Sequence, residues 1–306
     1  MPRRAVIFLA LLGAIAIYPQ AAAADHVQCG AVIVQDTHLD GDLDCAGPAL
    51  TIGAGGVTLD LGGHTVAGTG PIGIGASGLS GVAVRSGTVR GFDVDVSLEQ
   101  VSDSIVREVT DAGIFVSGDR NLVKNNTDAA GLALRGDESV VTGNTVSAPE
   151  RDEATWLSVE GTGDLVTHNT VADVATTSTD ASAFGMLLRL HGGHVLHNSV
   201  TGILGSDPFS IGIHLSGENA VVRRNTASWL DDGFLVAGPF RVLDNLAFEN
   251  RDDGIDVDVS GARLARNQAY DNGDLGIEAV PFTIDGGHNR ARGNGNPDEC
   301  TGVACR

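Results

Sequence analysis

The chain has 306 residues, and its 19 Lys and Arg against 39 Asp and Glu give a formal net charge of −20 at pH 7. Such a surface repels phosphate backbones and anionic lipid, which argues against nucleic acid and membrane surfaces as partners. A polyanionic glycan is repelled as well, unless a cation lies between the glycan and the protein.

The first residues have the pattern of a secretory signal. The basic tip "MPRR" precedes the apolar run "AVIFLALLGAIAIYP", which is short for a membrane span, and the small residues "QAAAA" suit signal peptidase. We predict a signal peptide over residues 1–24, with a membrane anchor as the alternative. Removal of Arg3 and Arg4 leaves 17 − 39 = −22 for an exported, secreted or periplasmic chain. No later segment is apolar for long enough to insert into a membrane.

The four cysteines lie in two pairs, one near each end of the exported chain. An even number of cysteines in an exported protein indicates disulfides, and proximity favours Cys29 with Cys45 and Cys300 with Cys305. A zinc site is the alternative, although the spacings do not suit one. We predict that disulfides staple both ends.

Two short frames recur along the chain. In the first, an apolar run ends in asparagine, at Asn126, Asn144, Asn169, Asn198, Asn225, Asn245 and Asn267. In the second, glycine precedes alternating apolar residues, at Gly113, Gly131, Gly185, Gly212, Gly233, Gly254 and Gly276. Alternation with a period of two indicates short strands, and repeats that cannot each bury a core must stack as a solenoid. We expect the asparagines to stack at one corner and to bond the next coil.

The opening "CGAVIVQDTHLDGDLDCAGPALTIGAGGVTLDLGGHTVAG" and these frames resemble the right-handed parallel β-helix repeat proteins of the pectate-lyase-like superfamily, from Asp25 to Arg306. The resemblance implies an all-β, single-stranded right-handed parallel β-helix of roughly ten coils. We predict an N-terminal cap over 25–56, repeats over 57–290 and a C-terminal cap over 291–306. The superfamily contains lyases, hydrolases, epimerases, a copper-binding group and members without a known reaction, so it implies no single activity.

Three consecutive coils carry extra residues at one corner, over 147–155, 171–184 and 201–210. Insertions at one corner of a solenoid stack into a wall beside which such proteins bind their ligands. Neutral variation of surface loops is the alternative explanation.

The corner after this wall is acidic. We predict that adjacent carboxylates in adjacent coils form a catalytic cluster of Asp231, Asp232, Asp252 and Asp253. Like charges about 5 Å apart raise one another's pKa values or bind a cation, so Asp232 and Asp253 are also predicted to bind Ca²⁺. The predicted substrate-binding residues are Asp274, His214 and Asp256. The alternative is that Asp-Gly sequences here are ordinary turns facing water.

A second candidate cluster consists of histidines. His168 and His197 precede ladder asparagines, and His191 and His194 lie in the turn between their coils. These four imidazoles, above all His168, His194 and His197, could bind copper or zinc. Stacked polar residues without a metal are the alternative. Arg224, Asp244 and Arg266 continue the same column, where their alternating signs predict cross-strand ion pairs.

The motifs of known β-helix enzymes are incomplete. "NTD" at Asn126 and "DD" at Asp231 are too far apart to face one sugar, Gly-His-Gly and Arg-Ile-Lys are missing, and the chain has one lysine, Lys124. Our first hypothesis is an exported β-helix that binds a polysaccharide beside the inserted loops and cleaves it as a hydrolase or lyase. Our second is a non-catalytic binding or structural protein of the cell envelope, or a copper-binding protein.

Overall fold

The computed structural model describes residues 26–128, 130–147, 155–176, 182–205 and 209–306, and the predicted signal peptide lies outside them. Within these ranges the chain is all strand and turn, wound into a parallel β-helix whose coils each contribute to three sheets. One sheet has twelve strands, which makes 12 − 1 = 11 steps between coils. The predicted fold is therefore confirmed. The described chain has no helix of the length and hydrophobicity that a membrane crossing requires.

The twelve-stranded sheet is named sheet one. Its strands are Ala31–Ile33, Leu50–Ile52, Ile72–Ser77, Val94–Glu99, Ile114–Ser117, Leu132–Arg135, Thr155–Thr162, Ala183–His191, Ser210–Glu218, Asp232–Ala237, Ile255–Val257 and Ile277–Ala279. Sheet two follows it in each coil and contains Thr37–His38, Thr58–Asp60, Ala83–Arg90, Ile105–Thr110, Leu122–Lys124, Val140–Thr142, Leu165–Thr167, His194–Leu196, Val221–Arg223, Arg241–Leu243, Arg263–Ala265 and Ile284–Asp285. Sheet three contains Leu43–Cys45, Thr65–Gly68, Thr127–Asp128, Thr145–Val146, Thr170–Thr176, Ser199–Gly205, Thr226–Ser228, Leu246–Phe248, Gln268–Tyr270 and Arg290–Arg292, and the two long strands of sheet two continue into it.

Columns of similar apolar residues fill the interior. One column of sheet two, buried and in register, runs through Val84, Val106, Val123, Val141, Val166, Val195, Val222, Val242 and Leu264. β-branched side chains pack well on a pleated surface, and the parallel register places each one directly over its equivalent in the next coil. The alternation of the sequence frames is thus the alternation between the interior and the outside of the coil.

The asparagines of the first frame form a buried ladder between sheets two and three, which we call the asparagine corner. Asn169, for example, donates its backbone N–H and its Nδ2–H to Oδ1 of Asn198, at 3.0 Å in both cases. The same Nδ2 donates to the carbonyl of Val141 at 2.9 Å. The ladder extends from Asn126 to Asn289, one coil beyond the predicted set. Stacked asparagines therefore satisfy backbone groups that the turn would otherwise leave unpaired.

The residue before each ladder asparagine adopts the left-handed conformation, with φ between +54° and +66° from Asn125 to His288. His168 and His197 occupy this position, and their rings stack with centroids 5.0 Å apart. Asp244 occupies it as well and accepts from Arg266 at 2.6 Å and from Arg223 at 2.8 Å. The predicted ion pairs therefore form, with Arg223 rather than Arg224 as one partner.

Both predicted disulfides are present, Cys29–Cys45 with Cα atoms 5.6 Å apart and Cys300–Cys305 with Cα atoms 6.1 Å apart. The last residues cover the end of the coil through isolated bridges of Cys300 to sheet one and of Cys305 to Asn289. The division into caps and repeats stays a prediction, since strands of sheet one already begin within residues 25–56.

The inserted segments are partly strand. In sheet three, Thr170–Thr176 pairs with Ser199–Gly205 over residues that the prediction assigned to loops. In sheet one, the strands Thr155–Thr162, Ala183–His191 and Ser210–Glu218 are lengthened in the same coils. Residues 148–154, 177–181 and 206–208 of the predicted wall lie outside the described residues.

Candidate active site on the outer face of sheet one

The turn from sheet three into sheet one, which we call the acidic corner, holds the predicted catalytic residues in its last coils. Glycine ends this turn because a Cβ at Gly233 would lie 2.5 Å from the carbonyl oxygen of Gly254. The residues before the glycine then stack from coil to coil. The first column is held by backbone bonds of 2.9–3.0 Å and contains Ser210, Asp231, Asp252, Asp274 and Asn296.

A second column, one residue nearer the glycine, contains Asp232 and Asp253. Asp232 Oδ1 accepts from the backbone N–H of Asp253 at 3.2 Å, and Asp253 Oδ1 accepts from that of Leu275 at 2.8 Å. Both side chains belong to buried residues, 4% and 5% exposed. Their carboxyls therefore act as the asparagines of the ladder do, but each carries a charge when it is ionised.

Asp253 is a buried carboxyl with other carboxyls around it. Burial is the main cause that raises its pKa to about 8, and the neighbouring Glu278 and Asp252 raise it further. A carboxyl with such a pKa is largely protonated at neutral pH. Asp253 thus keeps a proton that it can donate.

Neighbouring carboxyls have raised pKa values for the same reason. Burial, followed by the charges of Asp256 and Asp252, raises the pKa of Asp232 to about 7. Burial, followed by the charges of Asp258 and Glu278, raises the pKa of Asp256 to about 7. The pKa of Asp252 is raised by burial and then by the charge of Asp274. We call these residues the acidic cluster: Asp232, Asp252, Asp253, Asp256, Asp274 and Glu278.

Asp231 has a different environment from the acidic cluster. Its Oδ2 accepts from the backbone N–H of Ser210 at 2.6 Å, from the Ser210 hydroxyl at 2.9 Å and from the guanidinium of Arg251 at 2.9 Å. A carboxylate with three donors is held in place and its charge is compensated. Of the four predicted catalytic residues, Asp231 is therefore the one whose charge an arginine compensates among the described residues.

Ligand atoms of Asp252, Asp253 and Asp274 lie within 4.8 Å of one another, close enough to hold one metal ion. Carboxylate oxygens are the ligands that Ca²⁺ prefers. This set shares Asp253 with the predicted calcium pair, but Asp252 and Asp274 take the place of Asp232. Among the described residues no other group of three His, Cys, Asp or Glu has this geometry. His168, His194 and His197 are exposed, and a copper or zinc site there stays a prediction.

The outward-facing residues of sheet one connect the acidic cluster to a groove. One row in register consists of Phe115, Ala133, Ser158, Leu187, His214, Leu235, Asp256 and Glu278. The predicted binding residues His214 and Asp256 thus lie in one row with Glu278. Glu278 was missed by sequence reasoning, although its place in "GIEA" matches that of Asp256 in "GIDV".

His214 is half-buried within this row. Its ring stacks on Phe184 with centroids 5.2 Å apart, and its buried Nδ1 has no hydrogen-bond partner among the described residues. Burial, followed by the charge of Arg189, lowers the pKa of His214. The imidazole is therefore neutral at neutral pH, and its Nδ1 is enclosed by the protein.

Two cavities open on the other half of this face, with volumes of about 360 Å³ and 540 Å³. Both are lined by Arg135 and Arg189, which lie on either side of Glu160 in register. The guanidinium of Arg135 also lies 5.9 Å from the ring centre of Phe115. Glu160 forms ion pairs with both arginines, so the groove combines paired charges with apolar surface.

No protein-family model matches the chain, and no curated protein is significantly similar to it in sequence. Solved structures with a similar coil include the periplasmic alginate epimerase AlgG, at 12% identity and a TM-score of 0.45 over 90% of this chain and 73% of that one. Pectate lyase Pel9A has 13% identity and a TM-score of 0.37 over 90% and 74% of the two chains. An α-1,3-glucanase of Streptomyces thermodiastaticus has 15% identity and a TM-score of 0.33 over 87% and 62%. These likenesses concern the fold.

Proposed function

We propose that this chain binds a polysaccharide along the outer face of sheet one and hydrolyses it at the acidic cluster. The observation that carries the proposal is the buried carboxyl of Asp253, which converges with Asp252 and Asp274 and has a pKa raised to about 8. A carboxyl that keeps its proton at neutral pH is suited to protonate a glycosidic oxygen. Among the described residues, no arginine or lysine forms an ion pair with Asp232, Asp253 or Asp256, whereas Asp231 has Arg251.

A second carboxyl lies within reach of the same bond. Asp232 and Asp253 belong to adjacent coils, so their backbones are about 4.8 Å apart. Glycosidases place a general acid and a nucleophile or base on either side of the scissile bond, at separations of about 5–10 Å. We assign Asp253 as the general acid and Asp232, which titrates near neutrality, as its partner.

The remainder of the face provides length for a chain of sugars. Leu187, His214, Leu235 and Asp256 are successive in register, so three strand spacings, about 14 Å, separate the groove from the acidic cluster. Arg135 and Arg189 would bind hydroxyl or acidic groups of the glycan, and Phe115 and Leu187 would contact its apolar faces. The two disulfides favour an oxidising compartment, so we place this activity outside the cytoplasm.

The test is an activity screen of the purified chain against neutral and acidic glycans, with reducing ends and unsaturated products measured separately. We expect reducing ends without unsaturation, and a loss of about 10²–10⁴-fold in turnover for Asp253→Asn. Asp164→Asn is the matched control, because Asp164 is also buried, its pKa is also raised by burial, to about 6, and it lies at another corner of the coil. Unsaturated products would indicate a lyase, and full activity of Asp253→Asn would contradict the assignment.

A calcium site is the second candidate role of the acidic cluster, favoured by the convergence of Asp252, Asp253 and Asp274. Calcium would neutralise these carboxylates and connect them to an acidic sugar. If it binds, Ca²⁺ at 100 times its Kd should stabilise the chain by about 2.7 kcal/mol, seen as a higher melting temperature. Asp252→Asn with Asp274→Asn should abolish that rise, while Asp232→Asn should keep it. A rise that survives the double change would place the ion elsewhere, and a chain inert to both glycans and calcium would favour a non-catalytic role.

A further inference from the structure

Trp229 occupies a backbone position that suits small or acidic residues. It lies at the acidic corner, where one residue in each of six successive coils adopts the left-handed conformation. The column in register is Asp173, Gly202, Trp229, Glu249, Asp271 and Gly293, with φ between +53° and +74°. Glycine has no Cβ to clash there and aspartate tolerates it, whereas a bulky aromatic residue is strained. Trp229 is the aromatic member of this column.

The side chain of Trp229 is also exposed, at 61%, in contrast to Trp156, the second tryptophan of the chain, at 2%. Strain and exposure both disfavour tryptophan here, and glycine would remove both. Residues held in strained conformations are concentrated at binding sites, where the strain is part of how the site functions. Phe209, 42% exposed, precedes the register partner of Asp231 in the preceding coil, so a second aromatic side chain lies beside the same corner.

We propose that Trp229 is the stacking platform for a pyranose ring of the polysaccharide, next to the acidic cluster; this inference rests on the proposed function. The turn from Trp229 leads within three residues to Asp231 and Asp232. A pyranose ring has a face of C–H bonds that packs on an indole, while its hydroxyls reach outward to hydrogen-bond acceptors. An exposed indole and a row of carboxylates in one turn therefore match the two kinds of surface of a sugar.

Tryptophan fluorescence can test this contact, because the chain has two tryptophans, Trp156 and Trp229. Acrylamide should quench the fluorescence of exposed Trp229 and leave buried Trp156 unaffected. The probes are hexasaccharides of cellulose, xylan, polygalacturonate and polymannuronate, measured on the Asp253→Asn variant so that turnover is slow during the measurement. Binding of each is measured independently by calorimetry. We expect the hexasaccharide that binds to protect Trp229 from acrylamide.

Variants separate stacking from a general effect on the fold. Trp229→Gly should weaken binding about tenfold or more and, by removing the strain, should not lower the melting temperature. Trp229→Phe should restore part of the affinity. Phe282→Gly is the matched control, since Phe282 is exposed at 88% with a φ of +71° but lies outside this turn, and its affinity should be unchanged.

The outcomes distinguish this inference from the function on which it rests. Two results would overturn the stacking role and leave the proposed function intact. In the first, a hexasaccharide binds by calorimetry while acrylamide still quenches the fluorescence of Trp229. In the second, a hexasaccharide binds the Trp229→Gly variant with full affinity. Failure of all four hexasaccharides to bind would overturn both. Equal losses in Trp229→Gly and Phe282→Gly would also overturn the stacking role, because they would show a general effect of removing a surface aromatic.

Discussion

The asparagine corner and the acidic corner stack side chains of nearly the same size at the same spacing, with opposite results. At the asparagine corner, Asn198 accepts from Asn169 through Oδ1 and donates to Asn225 through Nδ2, so every buried amide has partners of both kinds. At the acidic corner, Asp232 and Asp253 accept from the next coil in the same way. A carboxylate has no donor to offer in return.

The difference lies in what stacking does to a neutral and to a charged group. A column of amides is complementary to itself and stabilises the coil at each step. A column of buried carboxylates repels itself, and the fold tolerates it only when a proton or a cation reduces the charge. The pKa values of about 7 and about 8 at Asp232 and Asp253 reflect that cost. The asparagine corner therefore serves stability, and we assign the acidic corner to chemistry.

The largest expected effect comes from placing a carboxylate in the ladder of the asparagine corner. Asn126→Asp replaces an amide whose Nδ2 donates to Val106 at 3.1 Å and to Asn144 at 2.9 Å with a carboxylate that faces both oxygens. We expect a loss of about 3 kcal/mol in the free energy of unfolding at pH 7, measured by chemical denaturation. Asn125→Asp is the control, because it makes the same chemical change one residue earlier at an exposed side chain. Equal losses in the two variants would contradict the role of the ladder.

A smaller effect is expected from neutralising the acidic corner. A carboxyl whose pKa is raised by folding stabilises the native state fully below its unfolded pKa, near 4, and loses that contribution as the pH rises through the folded value. Asp232→Asn with Asp253→Asn should therefore become more stable relative to wild type between pH 4 and pH 8, by on the order of 2 kcal/mol. Melting temperatures of both proteins across this range provide the measurement. A difference that does not change with pH would show that these carboxyls are not perturbed.

The smallest effect on the free energy of unfolding is expected at the ion pairs of Asp244. Asp244 bonds Arg266 and Arg223, the first of which is the main cause that lowers its pKa, but the arginines are 49% and 42% exposed. Asp244→Asn should cost about 0.5–1 kcal/mol at pH 7, and the cost should vanish as the pH falls through the lowered pKa of Asp244. Thermal melts at pH 7 and pH 2 would measure it. Asp111→Asn is the control, an exposed aspartate with a similar φ of +58°; a cost above that of Asn126→Asp would reverse the ranking of the corners.

The sequence by itself determined the coil. Alternation of period two is a local requirement of the strands, glycine at the start of the second frame of the tight turn, and asparagine at the end of the first frame of the ladder. Each repeat contains all three features. The same repetition predicted the stacking of Asp231 with Asp252 and Asp274, because equivalent positions of a solenoid lie in register. The even number of cysteines and their proximity along the chain predicted both disulfides.

Only the tertiary structure decided what those positions do. Asp231 and Asp232 are neighbours in the sequence, yet one is bonded to Arg251 and Ser210 while the other is buried among carboxyls. Glu278 lies in register with Asp256 on the next strand of sheet one, and His168 and His197 stack at the asparagine corner, away from the acidic cluster. Burial and charge at a site depend on residues that are distant along the chain. The spacing of the repeats predicts which residues stack. It does not predict the burial or the local charge of a stacked residue, because these depend on the residues that surround it.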